Sequence, residues 1–240
     1  MRTAWDLVVD LRGSALSWTL WAKKRRVFRW VDYTIHRVES LGRFFALDEP
    51  PAPRIWWSAT EEAFAAKNIG DGSPVLALGP TANWTGKILP AERFTALLGL
   101  LTGADGIFPD ARIAVFGAAG GRNIVLPVLQ AIPPERCINQ VGTVDILTAA
   151  TCLNNCDLFV GNDSGLMHMA AATGPPLGLF GPSEPRHYAP WGRHCAVAEA
   201  ALVWPRGFDP RTTGSLMTSL SVDRVVGAAE VLWRRTGLKS

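Results

Sequence analysis

The chain predicts an α/β protein built on a parallel, doubly wound sheet, and two observations carry that prediction. From Val75 onward, short apolar runs alternate with stretches of helical length, the pattern of successive βαβ units. Within that run, Phe159-Val160-Gly161-Asn162-Asp163-Ser164-Gly165-Leu166-Met167-His168 passes from an apolar strand through a tight polar turn into an Ala-rich helix. Ligands of such sheets sit at joints of this kind, outside the strands' carboxyl ends.

In chain order, residues 5–11 read as a short apolar strand, 14–24 as a helix and 27–30 as a strand. A Pro-rich break follows at Pro50-Pro51-Ala52-Pro53. Ser58-Ala59-Thr60-Glu61 is a capping box that opens a helix to about residue 67. Asp71-Gly72-Ser73-Pro74 has the composition of a boundary. Beyond it, strands are expected at 75–78, 112–116, 137–139, 158–160 and 177–180. Helices are expected at 90–101, with Pro90 in a favoured first-turn position, and at 123–132, 145–154 and 165–173. A last amphipathic helix spans 222–235. By this scheme Asn83 and Lys87 follow the first of these strands, 117–122 the second, 142–145 the third, Asp163-Ser164-Gly165 the fourth and Gly181-Pro182-Ser183 the fifth. All gather on one edge of the sheet.

The chain has 240 residues, enough for one large domain or two small ones with a real core. Its net charge of +3 gives no reason to expect a nucleic-acid partner. The four cysteines, Cys137, Cys152, Cys156 and Cys195, form neither a C-x-x-C pair nor a zinc spacing, and read as buried, reduced thiols. There is no apolar run of about 18 residues and no signal-peptide layout. A cytoplasmic location is expected.

The turn at 162–165 carries the chemistry. Asp163 or Ser164 is expected to cap the helix start, and Gly165 lets a ligand approach the backbone. First-turn N–H groups and the positive end of the helix dipole form an anion site suited to a diphosphate. Two other nucleotide patterns fail. Gly86-Lys87 is followed by Ile88 where a P-loop needs Ser or Thr, and Gly117-Ala118-Ala119-Gly120-Gly121 lacks the G-x-G-x-x-G order. No Asp-x-Asp pair exists to hold a divalent metal on a sugar nucleotide, so no metal and no cofactor is expected. Lys87 is the cation placed to meet the phosphates, or else a solvated surface lysine. His168, one turn into the helix, meets the ligand edge or supports the turn. Arg186 and His187 lie in a loop that could reach a sugar.

These residues carry a resemblance. Residues 159–185, with Gly161-Asn162-Asp163-Ser164-Gly165-Leu166-Met167-His168 and Leu179-Phe180-Gly181-Pro182-Ser183, then Pro190-Trp191-Gly192, resemble glycosyltransferase family 9, the heptosyltransferases and related enzymes of lipopolysaccharide core assembly. Lys87, Pro90 and Phe94 are similar to that family's K-x-x-P-x-x-x-F segment, and residues 5–11 resemble a later strand of its N-terminal domain. The resemblance implies two Rossmann-like domains facing across a cleft (GT-B type), with the N-terminal one incomplete. Residues 1–70 are then a partial acceptor-side domain, 71–220 the nucleotide-sugar domain and 221–240 a C-terminal helix.

The resemblance also implies inverting, metal-independent transfer of a sugar such as heptose from a nucleoside diphosphate donor to a lipid-linked lipopolysaccharide core acceptor. By position, Lys87 contacts the diphosphate and the backbone of Ser164, Gly165 and Leu166 cradles it. Asp163 takes the donor sugar, His168 supports the phosphates, and Val144 lies against the base with Asn83 nearby. The chain departs from the family in two places. It begins after the Gly-Asp loop that carries the family's general base, and Gly121-Arg122 supplies no ribose-binding carboxylate. Asp10 is the N-terminal carboxylate left for catalysis, with a structural or acceptor role as its alternative, and Arg12 sits on the acceptor side. A nucleotide-sugar-binding remnant without catalysis and a sugar-nucleotide epimerase of the same architecture stay open. Trp18, Trp21, Lys23, Lys24, Arg25, Arg26, Phe28, Arg29 and Trp30 interleave aromatic and basic groups. They read either as peripheral contact with anionic lipid headgroups on the inner membrane or as a solvated edge.

Overall fold

The computed structural model describes residues 3–29, 31–70, 72, 74–201, 208–209 and 212–236. The chain divides into two compact units, Met1–Pro51 and Ala52–Ser240.

In the first unit, β1 (Ala4–Asp10) and β2 (Trp21–Val27) form a two-stranded parallel sheet in which Ala4 pairs with Trp21 and Asp10 with Val27. The connection holds one short helix, α1 (Leu16–Thr19), and α2 (Arg37–Phe45) follows β2. The helix expected over 14–24 is thus only four residues long, and its second half is strand. Lys23, Lys24 and Arg26 are exposed. In sequence such a charge run reads as a solvated helical face, but it equally suits an edge strand, where charged side chains deter further pairing. The strand expected over 27–30 ends at Val27, and Trp30 lies outside the described residues. Helix α2 was not expected. His36 caps it by accepting from the Val38 N–H at 3.1 Å, and it ends at Ala46 in a left-handed conformation with φ 56°.

The second unit opens with α3 (Ala59–Asn68), which begins at the expected capping box: the Glu61 carboxylate accepts from the Ser58 N–H at 2.7 Å. The helix packs on the helix at Ile146–Asn154, so it belongs with the second unit although the sequence grouped it with the first. Asp71 and Ser73 of the expected boundary lie outside the described residues.

Six parallel strands follow: β3 (Val75–Gly79), β4 (Arg112–Gly117), β5 (Cys137–Val141), β6 (Leu158–Asn162), β7 (Pro176–Phe180) and β8 (Ala196–Glu199). Their order is β5-β4-β3-β6-β7-β8, so the direction of winding reverses between β3 and β6. A crevice forms at such a switch point, above the strands' carboxyl ends.

The helices are α4 (Ala91–Thr102), α5 (Arg122–Gln130), α6 (Ile146–Asn154), α7 (Gly165–Thr173), α8 (Pro185–Tyr188) and α9 (Val222–Thr236). Strand alternation sends β3 side chains to both faces. Leu76 and Leu78 join a core with Phe94, Leu97, Val125 and Leu232, beneath α4, α5 and α9. Val75 and Ala77 join a second core with Ala65, Cys152, Phe159 and Met167, beneath α3, α6 and α7. A sheet covered on both faces reads as continuous apolar runs, as β3, β6 and β7 do. The last helix is not a separate piece, since α9 packs on α4 and β8. Strand β8 and helix α8 were not expected. All four cysteines are free thiols. Among the described residues no helix is long and apolar enough to cross a membrane.

Candidate functional site

The site grows from the paired ends of β3 and β6, where Gly79 lies beside Gly161. After β3 the chain loops through Pro80–Leu89 and carries Lys87 on a short 3-10 turn (Thr85–Lys87). Asn162, wholly buried at the end of β6, holds both ends of this loop. Its Oδ1 accepts from the Leu89 N–H at 3.1 Å, and its Nδ2 donates to the Pro80 carbonyl at 2.9 Å. Residues 215–217 brace the middle: Leu216 N–H donates to the Gly86 carbonyl at 3.0 Å and Ser215 Oγ to the Ile88 carbonyl at 2.6 Å. The Trp84 ring covers Gly86 so closely that a Cβ there would lie 2.6 Å from it. The loop is therefore fixed at several points, and Lys87 is held with it.

Lys87 Nζ meets Asp163 Oδ2 at 2.7 Å, with side-chain exposures of 23% and 7%. Asp163 is the first residue of the turn that leads into α7. The capping expected there is absent. The Asp163 carboxylate turns to Lys87, Ser164 makes no capping bond, and the Ser164 Oγ is buried with no hydrogen-bond partner among the described residues. The first N–H groups of a helix have no partner within the helix. Those of α7 therefore stay available, and among the described residues beyond its own turn no atom lies within 4 Å of where a Gly165 Cβ would stand.

A pocket of about 1000 Å³ opens beside this turn. Its walls are the loops after β3 and β4, the start of α6 and the start of α7. Asn83, Val144, Ser164, Gly165 and Leu166 line it, as the sequence grouped them. Its lining is largely apolar, with Ile124, Val144, Ile146 and Leu147 beside Leu166 and Met169, and it includes Ser164 and Gly165 at the first turn of α7. A flat apolar base with a charged tail suits such a lining. Lys87 and Asp163 stand next to the turn and are not among the lining residues, and neither is His168, which is exposed one turn along α7. Five of the eight donor-side residues thus line the pocket, the Lys87–Asp163 pair stands beside it, and His168 lies one turn along α7.

Asp10 and Arg12 lie in the first unit. Asp10 is buried and closes its own turn: Oδ1 accepts from the Arg12 N–H at 2.9 Å and Oδ2 from Ser14 Oγ at 3.1 Å. The Arg12 N–H, first among several donors, holds this carboxyl below its usual range, which makes it a weaker proton acceptor. The Arg12 side chain is exposed. Arg186 and His187 are not loop residues but part of α8; His187 is wholly buried, edge-on to Tyr188 at 4.5 Å. Among the described residues, no three His, Cys, Asp or Glu side chains are grouped to hold a metal. The sequence reading missed Asp145 and Gln140, which also line the pocket, and the clasp made by Asn162. Asp145 had a signal, a helix-capping position directly after Val144.

The model of "Glycosyltransferase family 9 (heptosyltransferase)" matches residues 8–203. Lipooligosaccharide heptosyltransferase 2 of Haemophilus influenzae is 33% identical over 121 residues, 49% of this chain and 32% of that protein. Lipopolysaccharide heptosyltransferase 2 of Escherichia coli K12 is 36% identical over 90 residues, 36% of this chain and 26% of that protein. These matches span a third or less of the relatives' length. Among solved structures, the family 9 glycosyl transferase of Veillonella parvula has a TM-score of 0.79 at 20% identity, covering 98% of this chain and 75% of that one. E. coli ADP-heptose lps heptosyltransferase II has a TM-score of 0.71 at 20% identity, covering 96% and 77%. E. coli heptosyltransferase WaaC with ADP has a TM-score of 0.66 at 19% identity, covering 96% and 73%. The last three establish the α/β fold, GT-B in type, and the family match extends through both units: the chain belongs to glycosyltransferase family 9.

Proposed function

We propose that this chain binds an ADP-activated sugar, a heptose, at the switch point of its second unit, and transfers it to a lipid-linked saccharide of the lipopolysaccharide core. The observation that supports this most is the Lys87–Asp163 pair, 2.7 Å apart at the start of a helix whose side chains leave its N–H groups uncapped. The ADP of the donor is carried over from the E. coli enzyme solved with ADP.

In this reading the base lies against Val144 at the start of α6 and the diphosphate reaches the first turn of α7. Transfer is a single displacement with inversion. The acceptor hydroxyl oxygen bonds to the anomeric carbon, the bond from that carbon to the diphosphate breaks, and a base takes the hydroxyl proton. Negative charge grows on the leaving diphosphate, where Lys87 and the helix N–H groups stabilise it without a metal. Asp163 orients the sugar, and His168 approaches the phosphates only if its side chain turns in along α7. Of the residues singled out in the first unit, Asp10 is tied into its turn, which favours a structural or acceptor-side role, with Arg12 beside it on the exposed side.

The first unit also offers a surface for the lipid end of the acceptor. Trp18 and Trp21 are 58% and 65% exposed, and the Arg25 and Arg29 guanidinium groups stack over Trp18 at 5.5 and 5.6 Å. Exposed indoles with stacked cations suit an anionic headgroup layer. Vesicles containing anionic lipid should retain the protein at low salt and release it at high salt; absence of retention at low salt removes this contact.

The donor site is tested by calorimetric titration of ADP, UDP and GDP into the protein and into Lys87→Ala. ADP is expected to bind at micromolar level. Loss of one charge-assisted contact, about 1.5–3 kcal/mol, weakens it by about 10- to 150-fold in the variant. Equal affinity in the two proteins excludes Lys87 from the site. Heptose transfer from ADP-heptose to a lipid acceptor then separates an enzyme from a binding remnant, and epimerised free donor marks an epimerase.

A further inference from the structure

In a doubly wound unit the ribose hydroxyls of a nucleotide are taken by a carboxylate after the second strand. Here that strand is β4, and the chain beyond it reads Ala118-Ala119-Gly120-Gly121-Arg122, with no carboxylate. Nor does the packing leave room at Gly121 for a side chain: a Cβ there would lie 2.7 Å from Thr81 Cγ2. The same loop is pinned from the β5 side, where Gly142, at φ +66°, would bring a Cβ within 2.6 Å of the Ala119 Cα. Thr81 of the β3 loop and Gly142 of the β5 loop therefore press on Gly121 and Ala119, and although Gly120 faces open space the β4 loop offers no carboxylate.

A carboxylate reaches the pocket from another wall. Asp145 is the one carboxylate among the described residues that line it. It is the N-cap of α6, where its Oδ1 accepts from the Thr148 N–H at 2.8 Å. The cap holds the group in place and, through the Thr148 N–H first, keeps it ionised by lowering its pKa. A carboxylate has about four acceptor positions, more than this cap consumes, and the residue is exposed. Its neighbours Val144, Ile146 and Leu147 are apolar and line the pocket too, so an acceptor for two hydroxyls stands beside apolar surface for a flat ring. A nucleoside presents these two features side by side.

Resting on the donor-site reading above, we propose that Asp145 receives the ribose hydroxyls of the bound nucleoside diphosphate, in place of a carboxylate after β4, and so selects ribonucleotides over deoxyribonucleotides.

The test compares ADP with 2′-deoxy-ADP by calorimetry in the unaltered chain, Asp145→Asn and Asp145→Ser. Asn and Ser are both good N-cap residues, so α6 keeps its cap in each variant, and a thermal melt checks the fold. The unaltered chain should prefer ADP by about 10-fold or more, the worth of one charge-assisted hydrogen bond. The preference should fall to about threefold or less in both variants while the deoxynucleotide keeps its affinity. A ratio of ADP to 2′-deoxy-ADP affinity that is unchanged in the variants, or no preference in the unaltered chain, overturns the proposal and leaves the donor site standing. Failure of the unaltered chain to bind ADP at all overturns the donor-site reading, and this proposal with it.

Discussion

Asp163→Asn should strengthen the binding of ADP. That sign is opposite to the usual effect of altering a residue in a binding site, and it follows from the pair geometry. Lys87 is bound to Asp163 at 2.7 Å, and the carboxylate is nearly buried at 7% exposure. A diphosphate that uses Lys87 must therefore compete with Asp163 for the same ammonium group. It must also bring its own negative charge close to that carboxylate. Two unit charges about 4 Å apart interact by about 4 kcal/mol at an effective dielectric of about 20. Desolvation offsets much of this, and a hydrogen bond between two charged groups is about twice as strong as a neutral one. Replacing the carboxylate by an amide thus weakens the competitor by about 1–1.5 kcal/mol, or about 5- to 10-fold in ADP affinity. Relief of repulsion acts in the same direction. ADP lacks the sugar to be transferred, so the contact proposed between Asp163 and that sugar is not at stake. An ADP-sugar loses it, and its gain should be smaller or reversed. The assay is calorimetry of ADP and ADP-heptose at fixed ionic strength, with a thermal melt to show that the variant folds. Unchanged or weaker ADP binding in a folded Asp163→Asn protein would refute the idea that the diphosphate displaces Asp163 from Lys87.

Three further outcomes are expected. Asn162→Ala leaves the Leu89 N–H and the Pro80 carbonyl buried without partners, which at about 1–3 kcal/mol each costs about 2–6 kcal/mol. Urea unfolding should show a lower midpoint at unchanged slope, and a loss under about 1 kcal/mol contradicts the clasp. Burial pushes the Cys152 and Cys195 thiols up to about 11, so both are neutral at pH 8. A colorimetric thiol reagent should react slowly with the native protein and quickly after denaturation; fast native labelling of Cys152 counts against its burial. Glu61 and Asp145 are held below the usual carboxylate range by cap hydrogen bonds, from the Ser58 side chain first and the Thr148 N–H first, respectively. Each contributes stability that is complete above the unfolded-state pKa of about 4 and is lost as pH falls through the lower folded value. Asp145→Asn should therefore flatten the acid limb of the stability curve, and an acid limb identical to that of the unaltered chain refutes the assignment.

The second unit was legible in the sequence because local pattern and tertiary role agree there. Val75–Gly79 is an unbroken apolar run between Pro74 and Pro80, and a strand buried on both faces needs just that. The first unit was less legible. In β2, Lys23, Lys24, Arg25 and Arg26 carry no alternation, and the strand exists through its pairing with β1. Helix α2 begins at His36, outside the usual set of N-cap residues, so no start signal marked it. The capping box at Ser58, by contrast, was both readable and real.

The turn at 162–165 shows where sequence reading stops. Its composition announced a helix start, which is present and uncapped by side chains, and an anion site, which rests on the proposed reading. What each side chain does depends on residues far away in the chain. The partners of Asn162 lie 73 and 82 residues off, and that of Asp163 lies 76 residues off. The same four residues could have closed the helix start with a Ser or Asp cap, and a capped start would compete with a ligand for the N–H groups. Lys87 draws the Asp163 carboxylate aside instead, and Ser164 makes no capping bond. At this helix start a cation on a neighbouring loop engages the acidic residue of the turn and leaves the N–H groups without a side-chain cap. That loop is held by Asn162, so one short segment both fixes the cation and frees the backbone that the proposed reading assigns to the diphosphate.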